Sequence, residues 1–132
     1  MQKITFTTKL KRELVNITYE VEKLVSSSKV SDGLCLIFAP HATCALYLNE
    51  DESGLKEDIL DFLQGLVPDK AYKHNIIDNN AQAHILSSLI GTSITLPVKD
   101  GRMVRGTWQN VFFVELDGPR LRREVIVKIV KV

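Results

Sequence analysis

The chain has 132 residues, of which 45% are hydrophobic and 25% are charged, and its formal net charge is +1. This composition is typical of a single folded domain spanning residues 1–132 and excludes a disordered chain. The near-zero charge gives no bias towards nucleic acid or an anionic membrane, so neither is expected as a partner. The first residues contain no apolar signal segment and no stretch is long enough to span a bilayer, so a cytoplasmic location is expected.

The charges are unevenly distributed along the chain. Six acids and one lysine lie within residues 50–61, whereas eight bases and four acids lie within residues 99–132. This pattern indicates either two solvated faces or a cation-attracting end opposite an anion-binding end.

The first half of the chain predicts four strands and a helix. Residues 3–8 alternate in polarity, and residues 13–17 form a second short strand after a basic turn. Thr18 is a suitable N-cap for a helix that covers one face of the sheet. The continuous apolar run over residues 34–39 predicts a strand buried on both faces, and residues 44–48 predict the next strand. Cys35 and Cys44 lie in these runs without the spacing of a zinc ribbon or redox motif, so we expect buried free thiols.

The second half predicts two helices followed by four strands. Residues 53–66 carry an apolar stripe at helical spacing, formed by Leu55, Ile59, Phe62, Leu63 and Leu66. Asn80 is a suitable N-cap for a helix over residues 81–90, with Gly91 after its last turn. Its polar face holds Asn80, His84, Ser87 and Ser88, and its apolar face holds Ala81, Ile85 and Leu89.

Residues 93–98, 103–108, 111–116 and 124–132 predict strands, with a hairpin turn at residues 99–102. Strands interspersed with three helices predict an α+β fold, with a mixed or antiparallel sandwich-like sheet core and about three α-helices.

Each of the three histidines, His41, His74 and His84, lies in a short polar cluster. Taken singly, a histidine is more often structural than functional. If the fold gathers all three, they form either a three-nitrogen metal site or an acid/base centre. Their spacings match no local metal motif, so this depends on the fold. Three imidazoles suit zinc, copper, iron or nickel better than magnesium, whereas a carboxylate from Glu50 or Asp78 would admit harder ions.

Three further positions have more than one interpretation. Glu50 is a fourth metal ligand, a general base or part of an acidic cluster at the start of a helix. Trp108, which precedes two amide side chains, is either a flat wall of a ligand site or a core residue. Arg120, in the turn at residues 117–120, is either a planar donor for phosphate or carboxylate or part of a solvated basic turn.

Five ordered motifs carry a resemblance to a known family. They are Pro40-His41-Ala42-Thr43-Cys44-Ala45-Leu46-Tyr47-Leu48-Asn49-Glu50, His74-Asn75, Asn80-Ala81-Gln82-Ala83-His84, Gly106-Thr107-Trp108-Gln109 and Asp117-Gly118-Pro119-Arg120. Over nearly its whole length the chain resembles the YjbQ family, also called the secondary thiamine-phosphate synthase family. Ala42 departs from the family pattern, which has threonine there, and Asp78-Asn79-Asn80 replaces a glycine-rich approach.

The resemblance implies a compact α+β fold, a homotrimer, and a pocket at a subunit boundary where the three histidines meet around a divalent metal. It also implies a weak transferase activity, which joins a hydroxymethylpyrimidine pyrophosphate to a thiazole phosphate with loss of pyrophosphate. The residues expected to be catalytic are His41, His74, His84 and Glu50, with the three histidines as metal ligands. Those expected to bind the phosphorylated substrate are Asn49, Asn80, Arg105, Trp108 and Arg120.

Zinc is the ion most compatible with three imidazoles, whereas departure of pyrophosphate usually recruits magnesium through carboxylates and phosphate oxygens. This mismatch keeps other functions open. One is a metal-assisted hydrolase, and another is a non-catalytic trimer that binds a phosphorylated metabolite or an ion. A third is a structural trimer with vestigial histidines.

Overall fold

A computed structural model describes residues Met1–Val132 and contains eight strands, three α-helices and one short 3₁₀ helix. The strands are β1 (Gln2–Phe6), β2 (Glu13–Asn16), β3 (Asp32–Phe38), β4 (Cys44–Asn49), β5 (Ser93–Lys99), β6 (Arg102–Met103), β7 (Asn110–Glu115) and β8 (Arg123–Lys131). The helices are α1 (Thr18–Ser28), α2 (Ser53–Leu66) and α3 (Ala81–Ile90), and the 3₁₀ helix covers Lys73–Ile76. The predicted α+β class with three helices is confirmed. None of the helices combines the length and the apolar character needed to cross a membrane.

The strands form two antiparallel sheets stacked in layers. The large sheet has the order β1-β8-β3-β5-β6, and the small sheet has the order β2-β7-β4. The main core lies between the two sheets and includes Val21 and Val25 of α1. A second core lies on the opposite face of the small sheet, where α2 and α3 pack. The small sheet is therefore the middle layer of the molecule.

The prediction that residues 34–39 are buried on both faces is wrong. Burial alternates along β3, and Leu34, Leu36 and Phe38 are 37–44% exposed. The strand with both faces covered is β7, in which Val111 to Glu115 are all buried. Both strands contain a continuous apolar run, residues 34–38 in β3 and 111–114 in β7, and the layer order decides which of them is enclosed. The large sheet therefore presents apolar side chains on its outer face.

Both cysteines are buried and unpaired, as predicted. Burial raises the pKa of the Cys35 thiol to about 11 and that of the Cys44 thiol to about 12. Both thiols are therefore protonated at neutral pH and are not ready nucleophiles.

Two predicted helix details are corrected. Thr18 does not cap α1, because its hydroxyl donates to Asn16 Oδ1 at 2.6 Å and accepts from the Val111 amide at 2.8 Å. On α3 the buried side chains are Ala81, Ala83, Leu86 and Ser87. The predicted apolar face was displaced, since Ile85 and Leu89 are exposed.

The hairpin turn between β5 and β6 is confirmed. Asp100 and Gly101 both have positive φ, as a two-residue hairpin of this type requires. The strand predicted over residues 103–108 stops at Met103, because Gln109 closes a turn with Gly106 through two hydrogen bonds of 2.7 and 3.0 Å.

Candidate active site

His74 and His84 form a contacting pair at the start of α3. His84 lies one turn into this helix, and the 3₁₀ helix that carries His74 folds back over it. The ring centroids are 4.6 Å apart and the ring planes meet at 75°, an edge-to-face contact. Both rings are half-buried and line an open cavity of about 500 Å³, here called the histidine pocket. Its other lining residues are Lys70, Ala71, Tyr72, Lys73, Ala81 and Ile85.

The proton on His74 is assigned by its hydrogen-bond partner. Asn80 Nδ2 donates to Asp117 Oδ2 at 2.9 Å, and a carboxylate only accepts. The other end of the amide, Oδ1, therefore faces His74 Nε2 at 2.8 Å. Because this oxygen accepts, Nε2 must carry the proton and Nδ1 of the neutral ring keeps its lone pair. His74 thus has one nitrogen available as a base or ligand.

Asn80 occupies the N-cap position of α3, as predicted, but its side chain does not cap the helix. The first amide of α3, that of Ala81, donates instead to Asn75 Oδ1 at 3.0 Å. The Asn80 side chain is thereby left to link His74 to the turn at residues 117–120.

Asp117 is the charged end of this chain of hydrogen bonds. Burial acts to raise the pKa of the Asp117 carboxyl. Hydrogen bonds from Asn80, Lys11 and Arg120, together with the positive charge of Lys11, outweigh burial and hold this pKa below its ordinary value. Arg120 Nη2 donates to Asp117 Oδ2 at 2.9 Å, and Lys11 Nζ lies 3.4 Å from Oδ1. Asp117 is therefore ionised at neutral pH and orients Asn80.

A buried ion pair supports the turn that carries Asp117. Arg123 Nε donates to Glu115 Oε1 at 2.9 Å, and both residues are almost fully buried. Glu115 Oε2 accepts from the Asp117 amide at 3.1 Å, which connects the ion pair to the turn. Thr8 bridges the same elements, because its hydroxyl donates to Glu115 and accepts from the Arg120 amide.

Gly118 allows the loop before β2 to approach this turn. A Cβ atom at Gly118 would lie 2.1 Å from the Leu10 carbonyl oxygen, so any other residue would force the two segments apart. In the observed packing the Gly118 amide donates to the Lys11 carbonyl oxygen at 2.9 Å. Lys11 is thereby brought to Asp117.

His41 does not join the other two histidines within one chain. It follows β3, and its Nε2 lies 2.9 Å from the carbonyl oxygen and 3.2 Å from the amide nitrogen of Glu124 in β8. No group of three or more His, Cys, Asp or Glu side chains in the chain is placed to hold a metal ion. The single chain therefore does not form the predicted three-histidine site.

The remaining predicted site residues lie at the far end of the small sheet. Asn49, the last residue of β4, pairs with Asn110 at the start of β7, about 17 Å along the strand from Cys44. Asn49 Oδ1 accepts from the Glu50 amide, while Glu52, two residues on, caps α2. The histidine pocket lies at the Asp117 end, so one chain does not bring Asn49 or Glu50 to it.

Arg105 and Trp108 lie in the turn before β7. Arg105 donates to the Gln109 carbonyl oxygen, and its Nε lies 3.8 Å from Glu22. Trp108 is 69% exposed, so the alternative of a core residue is wrong. An exposed indole remains available to a ligand or to another chain.

Lys70 and Lys73 are the pocket residues that the sequence analysis missed. Both line the histidine pocket, and both lie within four residues of His74 in the chain. Their closeness in sequence was a usable signal, because a short loop before a 3₁₀ helix keeps such neighbours on one side of the same cavity. Both side chains carry a positive charge, and the Lys70 ammonium lies over the Tyr72 ring, 5.1 Å from its centroid.

Comparison with known proteins gives one consistent family. Residues 2–132 match the family described as UPF0047 protein YjbQ-like. A UPF0047 protein of Archaeoglobus fulgidus is 49% identical over 126 residues, covering 95% of this chain and 97% of the relative.

Solved structures give the same result. A YbjQ-like protein of unknown function from Sulfolobus solfataricus P2 has a TM-score of 0.97 at 45% identity, covering 99% of this chain and 96% of that one. A conserved YjbQ/UPF0047 protein of Clostridium acetobutylicum has a TM-score of 0.93 at 37% identity, covering 98% and 100%. The chain belongs to the YjbQ-like UPF0047 family.

Proposed function

We propose that this protein is an enzyme that acts on a phosphorylated small molecule in the histidine pocket, through a thiamine-phosphate synthase reaction. The observation that carries the proposal is the contact between His74 and His84 in a cavity that also contains Lys70 and Lys73. A pair of imidazoles can hold or transfer a proton near neutral pH, and two ammonium groups favour a phosphate dianion. The expected substrate therefore combines a reacting centre with a phosphate or pyrophosphate group.

The transfer reaction requires stabilisation of the leaving group more than a protein nucleophile. The thiazole nitrogen supplies the electron pair of the new C–N bond, and the C–O bond to pyrophosphate breaks with its electron pair on oxygen. Charge therefore accumulates on the pyrophosphate, where Lys70, Lys73 and a protonated His84 would neutralise it. Arg120 and Lys11, which both contact Asp117, are two further cations next to this network.

The proposal includes no step through a metal ion. Within one chain His41 contacts β8 instead of the other two histidines, and His74 Nε2 is occupied by Asn80. One chain thus does not bring the three histidines together as the predicted zinc site requires. It also does not bring together the carboxylates that a magnesium site would need. A shared metal remains a prediction for the assembled protein, in which a second copy would supply ligands.

We further propose the homotrimer as the working assembly. Its support is the outer face of the large sheet, where apolar side chains of β3 are exposed beside those of neighbouring strands. Leu34 is paired with Pro97 and Val130, and Phe38 is paired with Ile126, so these side chains share one face. Such a patch is typical of an interface with a further copy of the chain. The same assembly would let the Asn49 and Trp108 end of one subunit approach another subunit.

The activity is tested by turnover of hydroxymethylpyrimidine pyrophosphate with thiazole phosphate. We expect His84→Gln to lower kcat by roughly a hundredfold, as loss of an acid/base group does. Lys73→Met should raise KM, because it removes a phosphate contact. Lys99→Met, an exposed lysine on the hairpin between β5 and β6, is the matched control and should behave as the wild type. The metal content of all four proteins is measured by mass spectrometry.

Equal turnover in the wild type and His84→Gln would contradict the proposed enzyme. If inorganic phosphate still protects Lys73 from acylation in that case, the protein is a binding module for phosphorylated metabolites. If the wild type holds about one zinc per chain that His84→Gln loses, the shared-metal prediction is supported.

A further inference from the structure

A second cavity, of about 750 Å³, lies beside the histidine pocket and shares no residue with it. It lies between the loop before β2, the end of α2 and the first turn of α3. We call it the Arg12 groove. Its lining residues are Leu10, Lys11, Arg12, Gln64, Gly65, Val67, Pro68, Asp69 and Gln82. None of the residues predicted to bind substrate lies in it.

Arg12 is an unpaired cation in this groove. Its side chain is half-buried, forms no ion pair and donates no hydrogen bond, and its Nη1 atom is buried without any partner. Burial lowers the pKa of its guanidinium below the ordinary value, which reflects the loss of water without a compensating charge. Buried charges in proteins are normally paired, because an unpaired charge loses its hydration without gaining an ion pair or hydrogen bond that compensates. Arg123, which is almost fully buried, has such a partner in Glu115.

The groove has room for more than a counter-ion. Its volume lies in the range of small-molecule sites, and the neighbouring Lys11 adds a second positive charge. A guanidinium offers two parallel donors that match phosphate oxygens, and a second cation favours a dianion over a single carboxylate. Gln82 donates from Nε2 to the Val67 carbonyl oxygen. Its acceptor atom, Oε1, receives no hydrogen bond in this contact.

Three features oppose an anion here. Asp69 carries a like charge on the groove wall, and the end of α2 presents the negative pole of that helix. Lys11 is also shared with Asp117, from which it lies 3.4 Å. Arg12 and Lys11 outnumber the single carboxylate of the groove by two to one, and Arg12, unlike Lys11, has no ion-pair partner. Asp69 therefore weakens binding without preventing it.

We propose that the Arg12 groove binds the phosphate group of a small metabolite on the guanidinium of Arg12, at a site separate from the histidine pocket. The proposal does not rest on the function proposed above. It assigns Arg12 to ligand binding, so Arg12 contributes little to the stability of the unliganded fold. A structural arginine would have the opposite property.

The test uses the full-length protein and inorganic phosphate at constant ionic strength, with chloride as the reference salt. Binding is followed by the side-chain Nε–H resonance of Arg12 in NMR spectra and by the thermal midpoint. We expect phosphate to shift this resonance and raise the midpoint in the wild type. In chloride, Arg12→Met should have the thermal midpoint of the wild type. In phosphate, it should lose the rise in midpoint that depends on Arg12, and Arg12→Lys should retain part of that rise.

Asp69→Asn provides a second measurement that does not remove Arg12. Removing the like charge should tighten phosphate binding by about twofold or more. Lys73→Met, which alters only the histidine pocket, should leave the Arg12 response unchanged, so failure of the proposed enzyme and failure of this site are distinguishable. The proposal is overturned if phosphate does not shift the Arg12 resonance. It is also overturned if Arg12→Met lowers the midpoint in chloride by several degrees or dissociates the assembly, since Arg12 would then be structural.

Discussion

The Asn80 amide determines which nitrogen of His74 carries a proton, so its effect can be separated from general packing. Replacing Asn80 with Ala removes the acceptor for His74 Nε2 and the donor to Asp117. We expect the free energy of unfolding to fall by about 1–3 kcal/mol, because buried polar groups lose their partners. We also expect His74 to become a mixture of tautomers.

Urea denaturation measures the first effect, and the ¹⁵N shifts of the His74 ring measure the second. Asn79→Ala, at the exposed neighbouring asparagine, is the control and should change neither. A single unchanged tautomer in Asn80→Ala would show that the amide does not fix the proton.

The outer face of β3 gives a prediction at the scale of one element. Leu36 is 39% exposed, and Lys128 lies directly opposite it in β8. Leu36→Glu would place a carboxylate within reach of this lysine, so the single chain should keep its stability. The same charge in a subunit interface would be desolvated, and we expect the assembly to dissociate towards the 14.9 kDa chain.

Analytical ultracentrifugation of the wild type and Leu36→Glu measures this change. Phe62→Glu is the matched control, because Phe62 is 66% exposed on α2, which packs on the small sheet and not on the large one. Dissociation by Phe62→Glu but not by Leu36→Glu would place the interface on the α2 layer and would contradict an interface on the large sheet.

At the scale of the whole molecule, Glu115 and Asp117 make stability depend on acid pH. Burial acts to raise the pKa of Glu115, but hydrogen bonds from Arg123, Thr8 and the Asp117 amide outweigh it and lower the pKa. A group with a lowered pKa in the folded state stabilises that state above its unfolded pKa, about 4.3 for glutamate, and this contribution is lost as pH falls through the folded value. We expect the free energy of unfolding to decline steeply below about pH 4.5.

Urea denaturation between pH 7 and pH 3 checks this profile. Glu57→Gln, an exposed acid on α2, should follow the wild type. Glu115→Gln should start from a lower free energy at pH 7 and show a shallower decline. A decline of the same slope in Glu115→Gln would assign the acid sensitivity to other carboxylates.

Most individual elements could be predicted from the sequence, because their signals are local. The α2 boundaries follow from an apolar stripe, and the hairpin at Asp100 and Gly101 follows from turn residues. The layer order could not be predicted, since β3 and β7 both contain a continuous apolar run and only their neighbours decide which is enclosed. The same limit applied to α3, whose buried face depends on its placement against β4.

The candidate site was predictable in its residue types but not in its grouping. His74 and His84 are ten residues apart on different elements, and their contact requires the 3₁₀ helix to fold back over α3. His41 also belongs to one of the five motifs, but it contacts β8 instead of the other two histidines. Composition and spacing cannot distinguish these outcomes, because the path of the loop between α2 and α3 decides them.

The buried pair of Glu115 and Arg123 also restricts how this sequence can change over time. Replacing one member leaves the other as an unpaired interior charge, which costs about 3–5 kcal/mol and is a large part of the stability of a domain of this size. Replacing both with apolar residues of similar volume can be close to neutral. Substitutions at these two positions, which are eight residues apart, are therefore coupled. A change at one of them requires a change at the other or a compensating change elsewhere.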